Sequence, residues 1–237
     1  MEARTVIVGD VHGCSEELAA LRKLVGAAPG TRWVFVGDLV ARGPDTLGVL
    51  RQVRELGARV VLGNHEDRLL KVRDARARRK KPPHLGPSHA EVYESMSAAD
   101  WQVLDRMTPF LELPEHAVVV VHAGIDPRLE LTKQRLDVLT RMRSWEQAKA
   151  PGERQPSDRF REESWAASYT GDTHVVFGHN ARLGLQLHPH ATGLDSACVY
   201  GGRLSALVLE PGERPLEVSQ RTSQIVSVPA RASYFSV

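Results

Sequence analysis

The chain has 237 residues, 31 basic and 29 acidic, for a formal net charge of +2, with 42% hydrophobic and 25% charged residues. This composition excludes a disordered chain, and so balanced a charge argues against one built to wrap nucleic acid. The longest apolar stretch, Ala117 to Val121, is too short for a membrane helix, Met1 to Arg4 show no leader pattern, and Cys14 and Cys198 are too few for a disulfide framework. The expectation is one cytoplasmic domain over residues 1–237, with free thiols and no membrane association.

In chain order, β-branched runs at Thr5 to Val8, Trp33 to Val36, Arg59 to Leu62, Val118 to Val121 and Val175 to Phe177 read as strands. Ser15 to Val25 reads as a helix with Ser15 as N-cap, Glu16 and Glu17 in its first turn, and Leu18, Leu21, Leu24 and Val25 as its apolar face. Pro44 suits the first turn of a second helix, which carries Leu47, Val49, Leu50 and Val53 and stops near Gly57. The opening is therefore a β-α-β-α-β unit, and the fold class is α/β. A helical, basic insertion follows at about 66–110, in which Lys71 to Lys81 holds seven basic residues and one acid before Pro82-Pro83 end it. The plain reading of this run is a solvated helix face, and the sharper one a site for polyanions. Residues 149–171, with Pro151, Gly152, Pro156 and Gly171, read as a surface loop. In a C-terminal β region at about 193–220, Arg203 to Leu209 and Leu216 to Ser219 read as antiparallel strands about a Pro211-Gly212 turn.

Residues able to carry chemistry stand just behind the strands: Gly9-Asp10-Val11-His12-Gly13, Gly37-Asp38, Gly63-Asn64-His65-Glu66, His122-Ala123-Gly124 and Gly178-His179. In a parallel sheet the carboxyl ends of the strands share one edge, which gathers such junctions from distant parts of the chain. Asp10 and His12, two positions apart in an extended segment, can face one ion. Carboxylate, amide oxygen and imidazole suit manganese, iron, zinc or cobalt. The donors Asp10, His12, Asp38, Asn64, His122 and His179 exceed what one open ion needs but fit two if Asp38 bridges them. Each fragment alone is weak; in order, each behind an apolar run and beside a glycine, they form one signal. His84, His89, His116, His174, His188 and His190 lack that context and read as surface or structural.

The series GDxHG, GDxxxRG, GNHE, HAG and GH, spread over residues 5 to about 180, resembles the calcineurin-like metallophosphoesterases, in particular the phosphoprotein phosphatase superfamily. The run Gly37 to Pro44, Thr140-Arg141-Met142-Arg143 and the stretch Gly193 to Gly202 are similar to the bacterial symmetrical diadenosine tetraphosphatases, the ApaH family. Against that family, Ser196-Ala197 stands for a usual Thr-Gly, Tyr200 for an aromatic that is often Trp, and the middle and tail are shorter. The resemblance implies an α/β/β/α sandwich of two mixed sheets flanked by helices. It also implies Asp10, His12 and Asp38 on one metal, with Asp38, Asn64, His122 and His179 on the other. Two divalent ions, Mn2+ first and Co2+, Fe2+ or Zn2+ as alternatives, would lower the pKa of a water between them for in-line attack on phosphorus.

Arg42 is expected to clamp the nonbridging oxygens, and one of Arg141 and Arg143, with Arg143 preferred, to hold phosphate. Tyr200 is expected against a base, and Arg73 to Lys81 against the remaining phosphates. His65, in an extended junction beside Asn64, should point at the leaving group as general acid or leaving-group stabiliser. Where many protein phosphatases of the superfamily pair this histidine with an aspartate, the chain has Ala41, which favours a phosphate leaving group over an alkoxide. The implied reaction is hydrolysis of diadenosine tetraphosphate to two ADP. Alternatives are a Ser/Thr/Tyr phosphoprotein phosphatase, an RNA-cap hydrolase and an inorganic polyphosphate hydrolase, with a non-enzymatic scaffold as the rival outside catalysis. The expected partner is a small nucleotide, with capped RNA only as a substrate, no stable nucleic-acid complex and no identifiable protein partner.

Overall fold

Thr5–Val8 forms β1, and its side chains divide between two cores because alternate residues of a strand face opposite ways. Ile7 joins Val34, Val36, Val61, Val118, Val120 and Val176 in an apolar layer, whereas Val6 and Val8 join Leu18, Leu21, Leu50 and Val53 in another. The first layer lies between two sheets and the second beneath helices, which is the sandwich the resemblance implies. A computed structural model describes residues 3–26, 30–150 and 152–236, so the expectations placed on Met1, Glu2, Pro151 and Val237 lie outside the described residues.

After β1 come α1 (Ser15–Val25), β2 (Arg32–Phe35), α2 (Thr46–Glu55), β3 (Arg59–Val60), α3 (Asn64–Ala77), α4 (Pro87–Ser95), α5 (Ala98–Asp105), β4 (Phe110–Leu113), β5 (Val118–Val121) and α6 (Leu136–Arg141). The chain continues through β6 (Ser144–Gln147), β7 (Arg154–Ser157), β8 (His174–Phe177), β9 (Gln186–His188), β10 (Ala191–Gly193), β11 (Arg203–Leu209) and β12 (Ile225–Pro229). Among the described residues, one sheet has the order β12-β11-β1-β2-β3, a second β4-β5-β8-β10-β9, and β6 and β7 form a separate hairpin. β1, β2 and β3 run parallel, as do β5, β8 and β10, while β11 runs against β1 with Thr5 opposite Leu209. The outer face of the second sheet, with Val119, Val121, Val175 and Phe177, packs on Leu139 of α6 and on Trp165. Among the described residues no helix is long and apolar enough to cross a membrane.

Several sequence expectations shift. Cys14, not Ser15, is the N-cap of α1; Ser15 is its first residue and donates to Asp45 Oδ2 at 2.7 Å. Asp45 in turn caps α2 by accepting from Gly48 N–H at 2.8 Å, so Pro44 stands outside that helix. Leu24 and Leu47, expected on buried faces, are exposed, and the cores are closed by Leu18, Leu21, Val49 and Leu50 instead. The strand expected at Leu216 to Ser219 does not form. The Leu216 N–H is taken by the Gln224 side chain and its carbonyl by Arg221, and β12 pairs with β11 in its place. The loop expected at 149–171 carries β7 and a short turn in which Trp165 is buried, its indole N–H donating to Ala123 O at 2.9 Å.

Candidate metal centre

Asp10 and His12 follow β1, Asp38 follows β2, Asn64 and His65 open α3, His122 follows β5 and His179 follows β8. The junctions thus meet from two sheets, not along the single edge that the parallel-sheet argument assumed. Donor atoms of Asp38, His122 and His179 lie within 4.8 Å of one another, and so do those of His12, Asp38 and His65. Asp38 belongs to both groups: its Oδ2 is 3.4 Å from His122 Nε2, 3.5 Å from His12 Nε2 and 4.0 Å from His65 Nε2. Asn64 Oδ1 lies 3.0 Å from His122 Nε2. Asp10, in neither of these groups, is buried and accepts the His179 N–H at 3.1 and 3.2 Å.

Local structure explains why these atoms are ready to bind an ion. A backbone carbonyl only accepts, so His12 Nδ1–H donates to Val40 O at 3.1 Å and His122 Nδ1–H to Val36 O at 2.8 Å. Each bond orients its ring and turns Nε2 toward the cluster. The backbone is bent hard: His12, Asp38, Ala41, Arg42 and His179 have φ of 46°, 49°, 66°, 72° and 69°. That left-handed region costs a residue with a Cβ about 1–2 kcal/mol. Buried Glu66 holds the bend after Asp38: Oε2 accepts from Asp38 N–H at 3.0 Å, and Oε1 from Leu39 and Val40 N–H at 2.8 and 3.1 Å. Two motif glycines make room for carboxylates, since a Cβ at Gly178 would lie 1.9 Å from Asp10 Oδ1 and one at Gly63 2.3 Å from Asp38 Oδ1.

The cluster is short of positive charge. Burial, with Asp195 and Asp38 nearby, raises Asp10 well above the usual carboxylate range; burial also raises Asp195 to about 6 and Glu66 to about 7. Burial lowers His12 to about 4, and holds His65 and His179 well below the ordinary histidine value, which keeps these imidazoles neutral. Burial opposes charge on Asp38 and His122 too, but their mutual attraction prevails, lowering Asp38 and raising His122. Packed carboxylates and an amide oxygen beside imidazoles whose Nε2 atoms face them are a donor set that fits divalent cations.

The donors open on a cleft of about 430 Å3 lined also by Arg42, Arg143, Arg182, Phe160, Tyr200 and Asp195. Arg42 Nη1 donates to His12 Nε2 at 3.2 Å, and Arg143 Nη1 to Asn180 Oδ1 at 3.2 Å. Arg141, the last residue of α6, turns away and lies 3.5 Å from Asp67 Oδ2, so only Arg143 of the expected pair reaches the cleft. Tyr200 stands at the cleft as expected, its ring centroid 5.6 Å from the Arg42 guanidinium. His65 lines the cleft from the first turn of α3, not from an extended junction, and its ring stacks on His89 at 4.7 Å. The phosphate-holding role expected of Arg73 to Lys81 finds no place at the cleft: among the described residues none of that segment lines it, and Arg73 and Arg76 pair with Asp105 and Glu94.

Sequence reasoning passed over Asp195, Glu66, His89, Phe160 and Arg182. Asp195 and Glu66 lie inside stretches already singled out, and two more acids there were a usable signal. His89, Phe160 and Arg182 belong to none of the motifs, and only tertiary structure brings them to the site.

Comparison with known proteins agrees with the fold and the centre. The calcineurin-like phosphoesterase family matches residues 3–211, and the chain belongs to that family. Within it, the chain is 34% identical to a protein of Janthinobacterium sp. (strain Marseille) named symmetrical bis(5'-nucleosyl)-tetraphosphatase, over 86% of this chain and 92% of that one. A protein of the same name from Enterobacter sp. (strain 638) is 43% identical over 54% of this chain, a match that spans 45% of that relative's length. A crystal structure provisionally named a diadenosine tetraphosphatase superposes with a TM-score of 0.80 at 36% identity, covering 97% of this chain and 95% of the other. A protein serine/threonine phosphatase from Saccharomyces cerevisiae shares the fold, with a TM-score of 0.62, 15% identity and coverage of 98% and 80%.

Proposed function

We propose that the protein hydrolyses diadenosine tetraphosphate and related dinucleoside polyphosphates symmetrically, giving two ADP from the tetraphosphate. The observation that carries this reading is a pair of donor groups sharing Asp38 that open on a cleft walled by arginines and aromatic rings. The Janthinobacterium relative, named for this activity and matched over most of its length, supports it. Asp10, His12, Asp38, Asn64, His122 and His179 would hold two divalent ions, of which Mn2+ is our choice. When bound, such ions supply Lewis acidity toward water and the phosphoryl oxygens.

The chain's own residues do the rest. Arg42, whose contact with His12 Nε2 an ion would replace, offers its N–H groups to nonbridging phosphoryl oxygens, and Arg143 does so from beside Asn180. His65 Nδ1 is buried without a hydrogen-bond partner, and the chain has Ala41 where many protein phosphatases of the superfamily carry a carboxylate. His65 therefore stays neutral and acts as a hydrogen-bonding group toward the leaving oxygen. That suffices for a phosphate terminus with a pKa of about 6 and would serve an alkoxide poorly. We assign the activity to one domain over residues 1–237 and to the cytoplasm, where the buried free thiols of Cys14 and Cys198 fit a reducing compartment.

Product analysis tests this. The metal-stripped chain is reloaded with manganese, cobalt, zinc or magnesium and given diadenosine tetraphosphate and a phosphopeptide in parallel. ADP as the sole product supports the proposal. AMP with ATP, or phosphate released from the peptide alone, overturns it.

A further inference from the structure

Resting on that reading, we infer that the cleft holds two nucleoside subsites, one on each sheet, each an aromatic ring paired with an arginine. A substrate cut at its central anhydride consists of two like halves, each a nucleoside with two phosphates. A site that holds both ends fixes the central anhydride at the same distance from each. The cleft offers matching chemistry on its two sides.

On the side of the first sheet, the Arg42 guanidinium lies 5.6 Å from the centroids of both Tyr200 and Phe235, and these rings stand 6.3 Å apart at 70°. Phe235 comes from the C-terminal tail and keeps 39% of its surface exposed. The tail is fastened in place. Tyr234 and Phe235 N–H donate to Val199 O at 2.9 and 3.1 Å, and Ala230 N–H to Gly202 O at 2.9 Å. Glu17 of α1, buried and without other use at the site, accepts Arg231 N–H at 2.9 Å and the Tyr234 hydroxyl at 2.8 Å. A large apolar ring held by so many bonds at a phosphate-binding arginine is placed to receive a base.

On the side of the second sheet, the Arg182 guanidinium lies 5.2 Å from the Phe160 centroid, and both residues line the cleft. Arg182 sits in the short turn that follows His179 and Asn180, and Phe160 in the loop after β7. Arg42 bonds to His12 of one donor group, whereas Arg182 follows His179 of the other, so each ring-arginine pair accompanies its own group. A base stacks on the ring while the guanidinium meets the nearer phosphates, and the two rings together set which phosphorus falls over Asp38.

Equilibrium binding of ADP and of inorganic pyrophosphate to the full chain loaded with manganese tests the inference, because only ADP carries a base. The parent chain binds two ADP. Phe160→Ala and Phe235→Ala each weaken one of the two by about 5- to 150-fold without moving pyrophosphate, and a tryptophan at either position restores the affinity. A stoichiometry of one ADP overturns the inference, as does an alanine effect equal for both ligands. Product analysis on diadenosine tetraphosphate separates the two claims. Two bound ADP with no ADP formed sinks the proposed activity and keeps the subsites; ADP formed with one bound does the reverse.

Discussion

Replacing Glu66 by alanine should unfold the site from behind, and the structure sets the scale of the loss. The Glu66 carboxylate is fully buried and accepts the N–H groups of Asp38, Leu39 and Val40. Each unpaired buried donor costs about 1–3 kcal/mol. Water entering the vacated space offsets part of this, so Glu66→Ala should cost about 3–5 kcal/mol, a large share of the 5–15 kcal/mol typical of a whole domain. Glu66→Gln should cost about 1–2 kcal/mol, because its amide oxygen can keep the bonds of Leu39 and Val40 while its NH2 faces the Asp38 N–H and loses that one. Urea unfolding of the metal-stripped chain measures both. With an m-value of about 3 kcal/mol/M, the alanine variant's midpoint should fall by about 1–1.7 M. Manganese stoichiometry should fall with it, since Asp38 would no longer be held in its left-handed bend. An alanine variant within 0.5 kcal/mol of the parent, or a glutamine variant as damaged as the alanine one, would refute the reasoning.

Asp38→Asn should lower both bound manganese and kcat/KM by at least about 100-fold with the far-UV circular dichroism spectrum unchanged, because this carboxylate belongs to both donor groups; retention of two ions would count against that role. Ala41→Asp should raise activity on phosphoserine peptides relative to dinucleoside polyphosphates, since Ala41 is buried and His65 Nδ1 is without a partner, and an unchanged ratio would contradict the leaving-group argument. Reversing the charges of Arg78, Arg79 and Lys80 should leave KM unaltered at low salt, as these residues stand off the cleft; a raised KM would return the basic segment to substrate binding. Burial and the bond to Glu17 push the Tyr234 phenol up to about 12 from an ordinary 10.0. Its contribution to holding the tail is therefore complete below pH 10 and is lost as pH rises through 12. Phenolate absorbance should show a late component that Tyr234→Phe removes, and a titration curve unaltered by that change would contradict the anchor.

The amino-acid sequence by itself determined the kind of chemistry and where along the chain it sits. Asp10, His12, Asp38, Asn64, His122 and His179 each stand within a few residues of an apolar strand and one or two residues from a glycine, and that short-range arrangement is written locally because strand, bend and donor are neighbours in the chain. Tertiary structure decided everything that depends on distant partners. The strand beside β11 became Ile225–Pro229 because Arg221 and Gln224 captured Leu216, a competition no hydrophobic pattern records. Arg143 reaches the cleft and Arg141 does not because α6 ends between them and points them apart. His89 stacks on His65 from the basic insertion, Phe160 reaches the cleft from a loop, and Phe235 reaches Arg42 from the tail. Donor type and strand ends are local properties of the backbone, whereas the walls of the cleft are contacts between segments tens to hundreds of residues apart, which exist only once the two sheets have packed.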